Sequence, residues 1–171
     1  RIATTVLGSS RKMRSIGKRM KCVWIPRAGR KRSPCPAGSD ASNVRHGHVV
    51  LLPVDPDRSA RHLQSAISAR VGGRVGVVVT DTHGRAFRRG IINVAIGVAG
   101  FRPVVDHRGG FDREGRMLIA TEQALADELA AAGGILMDKG GGLPVVIISG
   151  VETSQAPGGM EALIRSAPHD H

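Results

Sequence analysis

The sequence predicts a domain of the α/β or α+β class, and three observations lead there. The apolar content is aliphatic: the 171 residues include three Phe, one Trp and no Tyr, so a core must be made of Val, Ile, Leu and Ala. Short apolar runs recur along the chain, among them Val75 to Thr80 and Val145 to Ile148. Two segments with three-to-four-residue apolar spacing lie between such runs. A chain of this length can bury one substantial core. The shortage of aromatic faces disfavours a base-stacking nucleic-acid module.

Charge is divided unevenly. The net charge of +11 invites assignment as a nucleic-acid binder. However, 11 of the 25 Lys and Arg residues precede Ser33, and no carboxylate occurs before Asp40. The other 14 cations face all 14 carboxylates, so the rest of the chain is neutral. Residues 1–36 carry neither a sustained helical period nor strand alternation and read as a basic, disordered or non-native segment. A nucleic-acid arm and a solvated tail are the competing readings of that segment. Cys22 and Cys35 form no metal pattern and read as ordinary thiols. No apolar run has the length of a membrane span, and the N-terminus lacks the order of a signal peptide, so a cytoplasmic location is expected.

From His48 onward, elements can be placed. His48 to Val54 reads as a short strand. Asp55-Pro56-Asp57 supplies an N-cap, a proline at the first helical position and a first-turn acid. Ala60, Leu63, Ile67 and Val71 form one apolar stripe, and Gly72-Gly73 closes that helix. Val75 to Thr80 is apolar throughout, as in a strand buried on both faces. Ile91 to Gly100 reads as a strand whose Gly97 and Gly100 allow close backbone approach. Asp112 to Gly115 forms a turn into a strand at Arg116 to Ala120. Thr121 caps a predicted helix from Glu122 to about Ala132, ended by Gly133-Gly134. Gly140-Gly141-Gly142 precedes the last strand, and the segment from Val151 reads as a loose tail.

The chemistry-bearing residues follow from this frame. No Walker loop, dinucleotide fingerprint or nucleophile elbow occurs. Asp40, with Ser42 and Asn43 nearby, and Asp81, between Thr80 and Thr82, are oxygen-rich positions suited to a hard cation such as Mg2+ or Mn2+. Taken alone, Asp40 serves equally as a turn start and Asp81 as the cap of a strand end. Arg85 and Arg88, with Arg89, could hold phosphate or a carboxylate, or simply line a solvated loop. His46 and His48 share one strand face but lack further ligands. Gly140, Gly141 and Gly142 could admit a phosphate to the backbone or merely connect two elements.

Several blocks in order carry a resemblance. Ala37-Gly38-x-Asp40-Ala41-Ser42-Asn43-Val44, Leu52-Pro53-x-Asp55-Pro56, Thr80-Asp81-Thr82-x-Gly84-Arg85 and Asn93 to Gly100 come first. Asp106-x-Arg108-Gly109, Thr121-Glu122-x-x-x-Ala126-Asp127-Glu128-Leu129 and Met137-x-Lys139-x-x-Gly142-x-Pro144 complete the series. Together they resemble the coenzyme F-420:L-glutamate ligase family over residues 37–150. The resemblance implies an α+β fold with a mixed sheet and flanking helices, incomplete at the N-terminus, in a homodimer. It also implies GTP-dependent attachment of L-glutamate to the deazaflavin precursor F-420-0, in which GTP phosphorylates the precursor's carboxylate and the glutamate amine displaces the phosphate. Asp40 and Asp81 match metal-binding aspartates, for Mg2+ or Mn2+ with K+ as a further candidate. Thr82 matches a second metal position, and Asn43 matches a GTP contact. Met137, Lys139, Gly140, Gly141 and Gly142 lie in the stretch that follows the nucleotide. Near Lys139 some members place a Gln ligand that this sequence lacks, and His83 and Phe87 replace commoner Phe or Met and Trp. The family's upstream half, with its own nucleotide-binding loop, is replaced here by the basic segment, and the abrupt change near Pro36 suggests a frameshift or a misplaced start. Actinobacterial bifunctional members continue into a nitroreductase-like domain beyond the point where this sequence stops.

Overall fold

The computed structural model describes residues 3–8, 39–40, 46, 48, 50–137, 140, 142–154 and 157–165. Its centre is a four-stranded mixed sheet. Strand β1 is Ala3–Gly8, β4 is Val75–Gly84, β5 is Ile91–Ala99 and β8 is Val145–Ser149. Their order is β5-β4-β1-β8; β1 runs antiparallel to β4 and parallel to β8. Two short ribbons flank the sheet: β2 (Ser39–Asp40) with β3 (Val50–Leu51), and β6 (Val105–Asp106) with β7 (Glu122–Gln123). This is the expected α+β arrangement.

One helix covers each face. Helix α1, Pro56–Val71, starts as the sequence predicts: Asp55 Oδ1 accepts the Arg58 amide at 2.7 Å, and Gly72 in the left-handed region ends it. Ala60, Ile67 and Val71 pack with Val75, Val77, Val79 and Ala99. Leu63 remains 40% exposed, because at 3.6 residues per turn it stands about 60° to one side of the line through Ala60, Ile67 and Val71. Helix α2, Leu125–Met137, lies on the opposite face, where Leu125, Ala126, Leu129 and Ala130 meet Val78, Ala95, Val98 and Phe101. The largely aliphatic core expected from composition lies on each side of β4, with Met137 and Val146 forming a smaller third cluster against Ile148.

Several boundaries differ from the sequence reading, each for a visible reason. Ala3–Gly8 is a sheet strand inside the segment read as structureless; six residues between Arg1 and a basic stretch give too short a pattern to register. Residues 9–38 lie outside the described part. Strand β4 continues past Thr80 to Gly84, so Asp81 sits within a paired strand opposite Val94 and does not cap a strand end. Arg116 to Ala120 forms only a single bridge, Phe111 to Met117, around a turn in which Asp112 Oδ1 accepts the amides of Glu114 and Arg116. Helix α2 begins after Thr121-Gln123 has joined the β6–β7 ribbon, and it runs through Gly133-Gly134 to Met137. Those glycines serve contact rather than termination: a Cβ on Gly134 would stand 2.9 Å from the Asn93 side chain. Among the described residues, the predicted strand at His48 to Val54 is paired at Val50–Leu51.

The segment after Val151 is not loose where it is described. Met160–Leu163 forms a 3₁₀ turn; Met160 and Leu163 pack against the α2-side cluster. Asp57, at the start of α1, holds this turn in place. Its Oδ2 accepts the Met160 amide at 2.9 Å while its Oδ1 accepts the Val98 amide at 2.7 Å. On the same strand, Asp127 Oδ1 accepts the Ala95 amide at 2.8 Å. Strand β5 is the edge of the sheet, with an irregularity opposite Val79 and Thr80 that leaves Ile96 unpaired. The first-turn acids of both helices thus satisfy amides that β4 cannot reach.

Candidate functional site

Strand β4 changes character at Asp81. Val75 to Thr80 are buried, Asp81 is half-buried, and Thr82, His83 and Gly84 are exposed. Strand geometry sends alternate side chains to opposite faces. Val75, Val77 and Val79 face α1, so Asp81 follows them; Val78 faces α2, so Thr82 follows it. Side chains on opposite faces of one strand reach different ions. Asp81 Oδ1 accepts the Thr82 amide at 2.7 Å, and among the described residues its other oxygen accepts no hydrogen bond.

The start of α1 packs on the α1 face of β5 near the partner of Asp81. Gly97 on β5 has no side chain because a Cβ there would come within 2.5 Å of the Pro56 carbonyl carbon at the start of α1. The first turn of α1 is therefore pressed onto β5 three residues from Val94, the partner of Asp81. The β2–β3 ribbon leads directly into this turn through Leu52 to Asp55, and within it Asp40 pairs with Val50. Asp40 and Asp81 occupy separate sheets, and the ribbon is joined to the main sheet in sequence through α1.

On the α2 face, Thr82 pairs with Asn93, and Asn93 Nδ2 lies 3.8 Å from Met137 Sδ at the end of α2. The structure thus brings Thr82 and Met137 together through Asn93, a residue that the sequence reading did not single out. An Asn on the same strand as the close-packing Gly97 was the available signal. Gly140 and Gly142 follow, Gly142 with φ +70°. Asn43, Lys139 and Gly141 lie outside the described residues.

Beyond Gly84 the β4–β5 turn carries the arginines. Arg85 is half-buried and its Nη2 donates to the Arg89 carbonyl at 3.0 Å, bracing the turn. Its Nε is shielded from water and has no hydrogen-bond partner among the described residues. Arg88 and Arg89 are exposed. Phe87, between Arg85 and Arg88, has φ +59°, an unfavourable region for a bulky side chain, and is fully exposed. His46 and His48 are both exposed, with His48 Nδ1 3.3 Å from the His46 carbonyl. Among the described residues no group of three or more His, Cys, Asp and Glu converges as a ready-made metal cluster, and no helix is long and apolar enough to cross a membrane.

The β6–β7 ribbon is tied by charge. Arg108 Nη2 lies 2.6 Å from Asp106 Oδ2 and 3.1 Å from Glu122 Oε1, joining the two strands. The hydrogen bonds from the Arg108 guanidinium, then from its backbone amide, hold the Asp106 carboxyl below its usual range, at about 2. A carboxylate with a depressed folded pKa contributes its stabilisation above the unfolded value and loses it as pH falls through the folded one. Amide exchange of His107 and Leu118 should therefore accelerate between about pH 4 and pH 2, and Asp106→Asn should remove that pH dependence.

Comparison with known proteins bears on the same region. The family model described as F420-0:Gamma-glutamyl ligase matches residues 33–150. A protein of Archaeoglobus fulgidus named coenzyme F420:L-glutamate ligase is 45% identical over 135 residues, covering 78% of this chain and 54% of the relative. Its namesake in Methanopyrus kandleri is 45% identical over 139 residues, covering 78% and 55%. That of Methanothermobacter thermautotrophicus is 42% identical over 132 residues, covering 75% and 52%. The chain thus spans about half the length of the curated relatives it matches.

Proposed function

We propose, from the premise that the chain belongs to the F420-0:gamma-glutamyl ligase family, that it supplies the metal- and nucleotide-facing part of a ligase joining L-glutamate to F-420-0 with GTP. The observation that carries this reading is Asp81: a half-buried strand carboxylate that, among the described residues, gives one oxygen to the Thr82 amide and leaves the other without a hydrogen bond. Carboxylates with neighbouring hydroxyl and amide oxygens are the donor chemistry of hard cations, and thiolates are absent from the set. Asp40 and Asp81 would hold Mg2+ or Mn2+, with Thr82 serving a separate position on the other face and K+ as a further candidate. Bound there, the ion supplies charge neutralisation for a polyphosphate.

The residues of the chain have their own tasks in the proposed reaction. Asn43 and the stretch Met137, Lys139, Gly140, Gly141 and Gly142 would lie along GTP, where small residues let the backbone approach phosphate oxygens. Asn93 fixes the Met137 end of that stretch against Thr82. Held in line, a carboxylate oxygen of F-420-0 attacks the γ-phosphorus and GDP leaves. The glutamate amine then attacks the acyl carbon, losing a proton as phosphate departs, and the amide bond remains. L-Glutamate, GTP and F-420-0 are the implied partners, in a homodimer and in the cytoplasm.

Because the chain spans about half of its relatives' length, a second reading has the matched part binding nucleotide without turnover. Both readings are tested by incubating the purified chain with GTP, Mg2+, L-glutamate and F-420-0. A product heavier by one glutamyl residue supports full activity. Metal-dependent GTP binding without product supports the second reading. The absence of both sinks the proposal.

A further inference from the structure

We infer that the β4–β5 turn is the docking element for a planar heteroaromatic ring bearing phosphate, with Phe87 as the stacking face and Arg85, Arg88 and Arg89 as its anion contacts. This inference rests on the proposed ligase reading, in which the deazaflavin acceptor belongs to that chemical class. Phe87 is fully exposed and contributes nothing to either core cluster. It also holds a left-handed backbone conformation that glycine would adopt without strain, although Gly84 and Gly90 stand close by in sequence. A strained, solvated phenyl group is an expense to the fold with no structural return, which points to a ligand.

The charges around it agree. No Asp or Glu occurs between Asp81 and Asp106, and among the described residues none of the three guanidiniums pairs with a carboxylate. The shielded Nε of Arg85 is a donor with no acceptor, the kind of group that a bound oxyanion satisfies. An aromatic face beside unpaired guanidiniums fits a flat ring carrying negative charge. Position selects a small ligand over a nucleic acid. Arg85 follows four residues after Asp81, a reach of roughly 13 Å along the strand, comparable to one ring with its phosphate. A single aromatic residue offers no platform for successive bases.

The test is binding of F-420-0 to the chain, read by deazaflavin fluorescence, with GTP binding measured in parallel. Phe87→Ala is expected to weaken F-420-0 binding roughly tenfold and Phe87→Trp to keep it. The double variant Arg88→Gln/Arg89→Gln should weaken it about as much and flatten its salt dependence. GTP affinity should be unchanged in all three. These side chains are exposed, so the variants fold, and a circular dichroism spectrum identical to wild type verifies it. If wild type binds F-420-0 and the variants bind equally well, the docking assignment is overturned while the ligase reading stands. Loss of GTP affinity in the variants overturns it in favour of a nucleotide subsite, and selective loss of single-stranded RNA binding overturns it in favour of a polynucleotide. A wild-type chain that binds GTP but no F-420-0 overturns the docking inference and limits the ligase reading to the nucleotide.

Discussion

Replacing Asp81 by Ala in a full-length relative will abolish GTP-dependent glutamylation while leaving the fold largely intact. The expectation comes from position. Asp81 is the last β4 residue with substantial burial on the α1 face, and among the described residues its carboxylate is tied only to the adjacent Thr82 amide at 2.7 Å. No long-range hydrogen bond depends on it, so the stability cost should stay within about 1 kcal/mol. In the proposed reading the carboxylate holds the cation that neutralises a polyphosphate, and its loss would cost far more, on the order of a thousandfold in kcat or greater. Asp81→Asn keeps the shape and the Thr82 contact and removes the charge; it should fail almost as completely. Retained glutamylation in either variant would reduce Asp81 to a strand residue at a change in solvent exposure.

Asp57→Ala should be the most destabilising single substitution among the exposed or half-buried acids. This carboxylate accepts amides from two distant places, Val98 on β5 and Met160 in the C-terminal turn. Hydrogen bonds to a charged acceptor contribute more than neutral ones, and truncation leaves both amides unsatisfied, so a loss of roughly 2–4 kcal/mol is expected in denaturant unfolding. Asp57→Asn can keep one acceptor oxygen and should lose about half as much. The effect should not be confined to global stability. Amide exchange at Met160 should rise more steeply than exchange at the centre of β4, because the turn has few other anchors. Equal protection of Met160 in wild type and variant would show that packing of Met160 and Leu163 alone holds the turn.

The sequence was most legible where local chemistry and tertiary role coincide. Asp55-Pro56-Asp57 and Gly72 mark α1 because capping is a property of a few adjacent residues, and the structure closes the helix at those positions. It was misleading where a residue answers to a distant neighbour. Gly133-Gly134 looks like a stop, yet Gly134 is small because Asn93 stands against it across the interface between α2 and β5. Asp57 looks like an ordinary first-turn acid, and its two distant amides cannot be foreseen from spacing. The candidate site shows the same division. Periodicity left Asp81 as a strand-end cap, and only the order of blocks from Asp40 to Pro144 gave it a partner. That Asp81 and Thr82 face opposite sides follows from strand alternation once β4 is known to run to Gly84.

The carboxylates that bind the outer amides of β5 also decide how such sheets can join one another. An incoming strand from another molecule would have to displace Asp57 and Asp127 from Val98 and Ala95 before forming its own ladder, and the unpaired Ile96 breaks the register it would need. Among the described residues, β8 has a neighbour only on its β1 side. Among the described residues the sheet is consequently one-ended: accretion of chains, whether orderly assembly or misfolded growth, meets an open ladder at β8 and a guarded one at β5, and charge changes at β8 are the ones expected to slow it.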